Sequence, residues 1–143
     1  IVGEDIKPSR KIFITRKDAM NRNIKNQNEL LMALKGWETV TLENLSIRDQ
    51  VKTFAEATHI VSPHGAGLTN LLWCRPKTKV YELTHKAFIG KIVYPSLSHH
   101  LELKHHVILC DTEKISGQKP RNKKQKDMVN LKINVKDFIS YID

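Results

Sequence analysis

The chain has few of the residues that lock small secreted or membrane-bound proteins together. Its 143 residues include two cysteines, Cys74 and Cys110, with neither a CxxC pair nor metal-type spacing, which excludes a disulfide scaffold and a zinc module. Both lie in apolar surroundings and read as reduced core thiols. That suits a reducing compartment, here a bacterial cytoplasm, with a secretory-pathway lumen as the alternative. No apolar run approaches the roughly 20 residues of a membrane span, and no signal peptide is visible. There is no GxxxxGK[ST] phosphate loop, no GxGxxG after the first predicted strand and no GxSxG elbow, which sets aside P-loop kinases and ATPases and serine hydrolases. No Asp-x-Asp occurs either, so a divalent ion held by paired carboxylates on a nucleotide sugar is not expected. The chain begins at Ile1 rather than Met, as a piece of a longer protein would.

Acidic residues are also scarce, 15 against 24 Lys and Arg for a net charge of +9. Much of the excess is local. Residues 113–127 hold Lys114, Lys119, Arg121, Lys123, Lys124 and Lys126 against two acidic residues, a net +4. Without interleaved aromatics to stack on bases, this run reads as a solvated, flexible basic loop; the alternative is a nucleic-acid or anionic-membrane patch. Asn44-Leu45-Ser46 fits a glycosylation sequon, a pattern short enough to arise by chance.

Apolar periodicity supplies the rest. Strands are expected over 11–15, 37–42, 59–62, 79–83 and 105–110. Helices are expected from Asn26 to Leu34, from Ser46 to Ala55 and from Gly67 to Trp73. A partly helical stretch over 88–101 is interrupted by Pro95, and a closing helix over 134–142 is capped by Asn134. Residues 1–9 read as a linker. Alternation at this spacing implies βαβ units and one domain over 1–143, an α/β Rossmann-like three-layer sandwich with a mostly parallel sheet.

In such sheets ligands sit beyond the carboxyl ends of the strands. Arg16, the turn from His64 to Gly67 and Thr84 fall just past strand ends, and Glu82 falls near one. The turn Pro63-His64-Gly65-Ala66-Gly67 stands between a strand and a helix start, where free N–H groups favour an anion. Gly65 and Gly67 permit close backbone approach. His64 can donate to a phosphate or a leaving oxygen. Arg16 and Arg22 carry forks that match a diphosphate. Asn70, one turn on, either reaches a ligand or satisfies the loop. Glu82, in a buried strand, needs a partner, either sugar hydroxyls or an internal arginine. The pairs His99-His100 and His105-His106 read as ordinary surface histidines, since adjacent residues diverge.

One ordered set of residues resembles a known family. Lys11-Ile12-Phe13-Ile14-Thr15-Arg16, Arg22-Asn23-Ile24-Lys25-Asn26 with Glu29-Leu30, Glu43, Gln50-Val51, Pro63-His64-Gly65-Ala66-Gly67-Leu68-Thr69-Asn70 and Val80-Tyr81-Glu82-Leu83 are similar to glycosyltransferase family 61. That family includes capsular-polysaccharide glycosyltransferases, plant xylosyltransferases and protein N-acetylglucosaminyltransferases. The resemblance covers about residues 10–100. It implies the C-terminal, nucleotide-sugar-binding half of an inverting, metal-independent, GT-B type transferase for polysaccharide or glycan synthesis. No cofactor is implied beyond a donor of the UDP type. The glycan acceptor would be bound by a separate N-terminal half, without which turnover is not expected. Arg16 and Arg22 would hold the diphosphate, and His64, Gly65, Ala66 and Gly67 would line the pocket. Asn70 would support it, and Glu82 would meet the ribose or the sugar. The resemblance names no catalytic base. Thr15 stands where the family usually has Ser, and Gln27 where it often has Glu. The rival class is a non-catalytic module binding nucleic acid or a regulatory nucleotide.

Overall fold

β-Branched and aromatic residues fill five short runs, and in the computed structural model these five runs form one parallel sheet. The structure describes residues 5–16, 22–115 and 129–142. The strands are β1 (Arg10–Ile14), β2 (Glu38–Val40), β3 (Ala57–Pro63), β4 (Lys79–Thr84) and β5 (Lys104–Leu109), in the order β2-β1-β3-β4-β5. Helix α1 (Gln27–Ala33) lies on one face. Helices α2 (Ile47–Ala55) and α3 (Val93–His100) lie on the other with a 3-10 segment, Ala66–Trp73. Two further strands, β6 (Asp111–Lys114) and β7 (Val129–Lys132), pair antiparallel and lead to α4 (Val135–Tyr141) on the α1 face.

The alternating pleat divides the core. Ile12, Ile60 and Val80 face Phe54, Leu68 and Leu71 on one side, while Phe13, Val61 and Tyr81 face Leu30, Leu131 and Phe138 on the other. From β1 the chain winds to one side through α1 and β2. It then returns past β1 through α2 to build β3, β4 and β5. The direction in which successive strands are added therefore reverses between β1 and β3, the position where open α/β sheets leave a crevice.

Several local expectations change. The segment after the His64 turn is 3-10 rather than α-helical. Leu68, Leu71 and Cys74 are all buried, and a spacing of three puts them on one side of a three-residue turn. Pro95 does not interrupt the 88–101 stretch; it sits in the first turn of α3, where a missing N–H costs no intrahelical bond. Asn26 does not cap α1 with its side chain. It accepts from the Ile133 N–H at 3.0 Å and donates to the Ile133 carbonyl at 2.8 Å, fastening α1 to the approach to α4. The basic stretch is not loop from its start, since Glu113 and Lys114 belong to β6; residues 116–128 lie outside the described region.

Other signals read as written. Gly36 takes φ +78° after α1. Asn134 Oδ1 accepts from the Asp137 N–H at 3.1 Å. Cys74 and Cys110 are buried and unbridged, with burial pushing each thiol up to about 12. Ser46 Oγ accepts from the Asp49 N–H at 3.1 Å and caps α2. Ser46→Ala is expected to cost about 1 kcal/mol in urea unfolding, and an unchanged midpoint would show that this cap carries no stability. No helix among the described residues is long and apolar enough to cross a membrane.

Candidate functional site

The crevice takes one wall from the end of β1 and the other from the end of β3. The Thr15 N–H bonds the Val40 carbonyl at 3.0 Å, extending the sheet by one residue before Arg16 leaves it. Thr15 Oγ1 donates to Gln27 Oε1 at 2.9 Å, so the two positions that depart from the family pattern are partners in one bond. The Arg16 guanidinium lies directly over Gly65, where a Cβ would collide with it. Gly65 is extended, with φ 170°; glycine is needed there for space, not for its dihedral. Ala66 and Gly67 open the 3-10 segment, so their N–H groups have no acceptor within it.

Arg22 reaches the same place by another route. Its N–H bonds the Val129 carbonyl at 2.7 Å, and bonds from Leu131 to Asn23 and from Lys25 to Leu131, each 2.8 Å, align residues 22–25 with β7. Arg22 itself adopts φ +56°. Its guanidinium carbon lies 5.4 Å from the centre of the Phe88 ring. Phe88 stacks on His64 at 5.2 Å and takes the edge of His85 at 4.6 Å. Tyr94, from α3, meets His64 edge-on at 5.3 Å. Both arginines thus converge on the histidine turn, one through Gly65 and one through Phe88.

The electrostatics of the pair are unusual. Burial lowers both guanidinium groups, and the charge of Arg16 lowers Arg22 further; Glu43 and Tyr94 partly offset this for Arg16, and Tyr94 for Arg22. Each Nε is buried without a hydrogen-bond partner among the described residues. Two like charges held half-buried in one crevice, with orphaned donors, favour an anion between them.

Glu82 has a different environment from the one expected. It is 2% exposed, and both carboxylate oxygens are taken by imidazoles rather than by an arginine or left open to a sugar. His64 Nδ1 approaches Oε2 at 2.5 Å, and His105 Nε2 approaches Oε1 at 2.9 Å. His105 Nδ1 lies 2.7 Å from the Ser98 hydroxyl. Burial pushes the Glu82 carboxyl up, and the bonds from His105 and His64 overcome this and hold it below the ordinary range. Asn70 turns inward, donating to the Gly67 carbonyl and to Gln50 Oε1, each at 3.1 Å. Gln50 in turn donates to the carbonyls of Leu42 and Leu45 at 3.0 and 3.3 Å. In this arrangement Asn70 shapes the loop.

Phe88, Tyr94 and Ser98 gave no signal of the site in the sequence, and His105, expected there as an ordinary surface histidine, belongs to it. His105 is not a surface residue, with 6% of its side chain exposed. It stands opposite Val80 in the β4–β5 pairing, hence on the same sheet face as Glu82. Tyr94 and Ser98 lie one turn apart on α3 and point to the same side. A separate cleft of about 540 Å³, between His85, Lys86, Cys110 and Thr112, opens beside the site.

Comparison with known proteins identifies the family. The family described as Glycosyltransferase 61 matches residues 2–81. A beta-1,2-xylosyltransferase of Oryza sativa subsp. japonica is 24% identical over 116 residues, covering 68% of this chain and 22% of that protein. A beta-1,2-xylosyltransferase of Arabidopsis thaliana is 36% identical over 47 residues, covering 33% of this chain and 9% of that protein. The chain therefore spans about a fifth of the rice protein and less than a tenth of the Arabidopsis protein.

Proposed function

The chain belongs to glycosyltransferase family 61, and from that premise we propose that it is the nucleotide-sugar-binding domain of an inverting, metal-independent transferase of the GT-B type. The donor is a nucleoside diphosphate sugar of the UDP class. The acceptor is a glycan, held by a part of the protein beyond this chain. The names of both relatives favour pentose transfer in glycan synthesis over capsule assembly. Both are plant proteins, and this supports the secretory-pathway alternative over a bacterial cytoplasm.

The observation that carries this reading is the pair of half-buried guanidinium groups with orphaned Nε donors. A diphosphate supplies the missing counter-charge and offers oxygens to both forks. As the sugar–phosphate bond breaks, charge grows on the diphosphate, where the two arginines and the free N–H groups of the turn are already placed. His64 faces this crevice from the turn, and Glu82 acts behind it rather than on the sugar.

Titrating UDP, UMP and uridine into the chain tests the reading. UDP binding is expected, with uridine weaker by at least about 100-fold, since charge-assisted bonds contribute about 1.5–3 kcal/mol each. No response to UDP, together with salt-sensitive RNA binding, would favour the nucleic-acid module instead. Gly65→Ala sharpens the test. The added methyl meets the end of a flexible side chain, so Arg16 moves and the extended backbone stays. UDP affinity is expected to fall about tenfold, equivalent to about 1.4 kcal/mol. An unaffected Kd would separate Arg16 from the diphosphate.

A further inference from the structure

We propose that His64 is the group that takes the acceptor's proton, and that His105 and Ser98 are positioning residues that keep it able to do so. The inference rests on the donor-binding reading above and adds a base that neither the family resemblance nor the comparisons name. Its basis is a continuous chain of four side chains, His64–Glu82–His105–Ser98, with links of 2.5, 2.9 and 2.7 Å.

The bonds are satisfied in one consistent pattern. Ionised Glu82 only accepts, so His64 Nδ1 and His105 Nε2 donate to it. His105 Nδ1 is then an acceptor, and the fully buried Ser98 hydroxyl donates to it. His64 is left with Nε2 as a lone pair. That nitrogen has no partner among the described residues, and the side chain is 13% exposed while Glu82 is sealed behind it. A carboxylate behind an imidazole fixes its tautomer and stabilises the imidazolium that forms on proton transfer.

An inverting displacement needs such a group. The acceptor oxygen bonds to the anomeric carbon as its hydroxyl proton passes to His64 Nε2. The bond between the anomeric carbon and the phosphate oxygen breaks, and its electron pair leaves with the diphosphate. Arg16 and Arg22 already offset the two charges of the intact donor's diphosphate, so a third cation at His64 is not required before the transfer.

His105 has a distinct task. One carboxylate serves two imidazoles, so His64 receives only part of its charge. Among the described residues, Phe88 and Tyr94 from α3 meet His64, Arg16 lies over the neighbouring Gly65, and Arg22 and His85 lie against Phe88. Without the donor at position 105, Glu82 turns its whole charge on His64 and favours a proton on both of its nitrogens. Ser98 keeps His105 in its donating tautomer.

Nitrogen-15 imidazole spectra of the chain at neutral pH, without ligand, test this. In the unmodified protein His64 Nε2 is expected to be unprotonated. In His105→Leu the ratio of imidazolium to imidazole at His64 is expected to rise about tenfold. His105→Gln retains an N–H for Glu82 and is expected to restore the original spectrum. Ser98→Ala, a milder change, is expected to move His64 in the same direction as His105→Leu. A His64 doubly protonated in the unmodified protein overturns the proposal. So does a folded His105→Leu or Ser98→Ala protein with the unmodified spectrum, or a His105→Gln protein that matches His105→Leu. If His105→Leu fails to fold, Ser98→Ala decides. UDP titration of the same samples reads the donor site separately. A chain that shows the expected spectra and ignores UDP leaves the relay standing and removes the donor reading, whereas UDP binding with unaltered spectra does the reverse.

Discussion

Glu82→Ala is expected to destabilise the chain by about 3–5 kcal/mol in denaturant unfolding, the usual cost of breaking a buried ionic pair by removing one partner. The loss comes from what remains. His64 and His105 keep N–H groups aimed at an empty position, and His105 sits where water has little access. Glu82→Gln retains the volume and one acceptor, so its cost is expected to be smaller. The same carboxylate sets a pH dependence. Its folded value lies below the ordinary one, so as pH falls the unfolded chain takes up this proton first. The stabilisation is complete above the unfolded value of about 4.3 and is lost as pH falls through the folded value. Unfolding midpoints at pH 6 and pH 3.5 are expected to differ more for the unmodified protein than for Glu82→Gln. Equal differences would show that Glu82 does not carry the acid sensitivity.

Removing both arginines is expected to abolish measurable UDP binding. At about 1.5–3 kcal/mol for each charge-assisted contact, Arg16→Ala and Arg22→Ala each reduce affinity by roughly 10- to 100-fold. The double variant falls by less than the product, because the two charges repel each other in the unliganded crevice and removing either relieves the other. Folding stability is expected to hold or rise slightly in each variant for the same reason, as judged by thermal melting. A loss of UDP binding accompanied by a loss of fold would make these arginines structural.

Much of the architecture was legible because it follows from local rules. The five parallel strands, the left-handed Gly36 and the caps at Ser46 and Asn134 each depend on residues adjacent in sequence. The crevice was legible for a related reason. A parallel sheet places every carboxyl end on one edge, so Arg16 and the His64 turn had to share it. What escaped depends on register and on long-range bonds. Glu82 bonds histidines because β5 pairs with β4 so that His105 falls on the face of Val80, and nothing in the two segments fixes that offset. Asn26 looks like a cap by pattern, yet its amide fits Ile133, which lies 107 residues away. The strand β7 did leave a trace in the alternation of Val129, Leu131 and Ile133, which the neighbouring basic run obscured. That strand matters, since it aligns residues 22–25 and so aims Arg22.

The most direct test of the central claim is a crystal structure of the chain with UDP. The account predicts the diphosphate in the crevice between β1 and β3, within hydrogen-bond distance of the guanidinium groups of Arg16 and Arg22 and against the turn from Gly65 to Gly67. A diphosphate seated elsewhere, for instance in the cleft beside Lys86 and Cys110, with both guanidinium groups untouched, would contradict it.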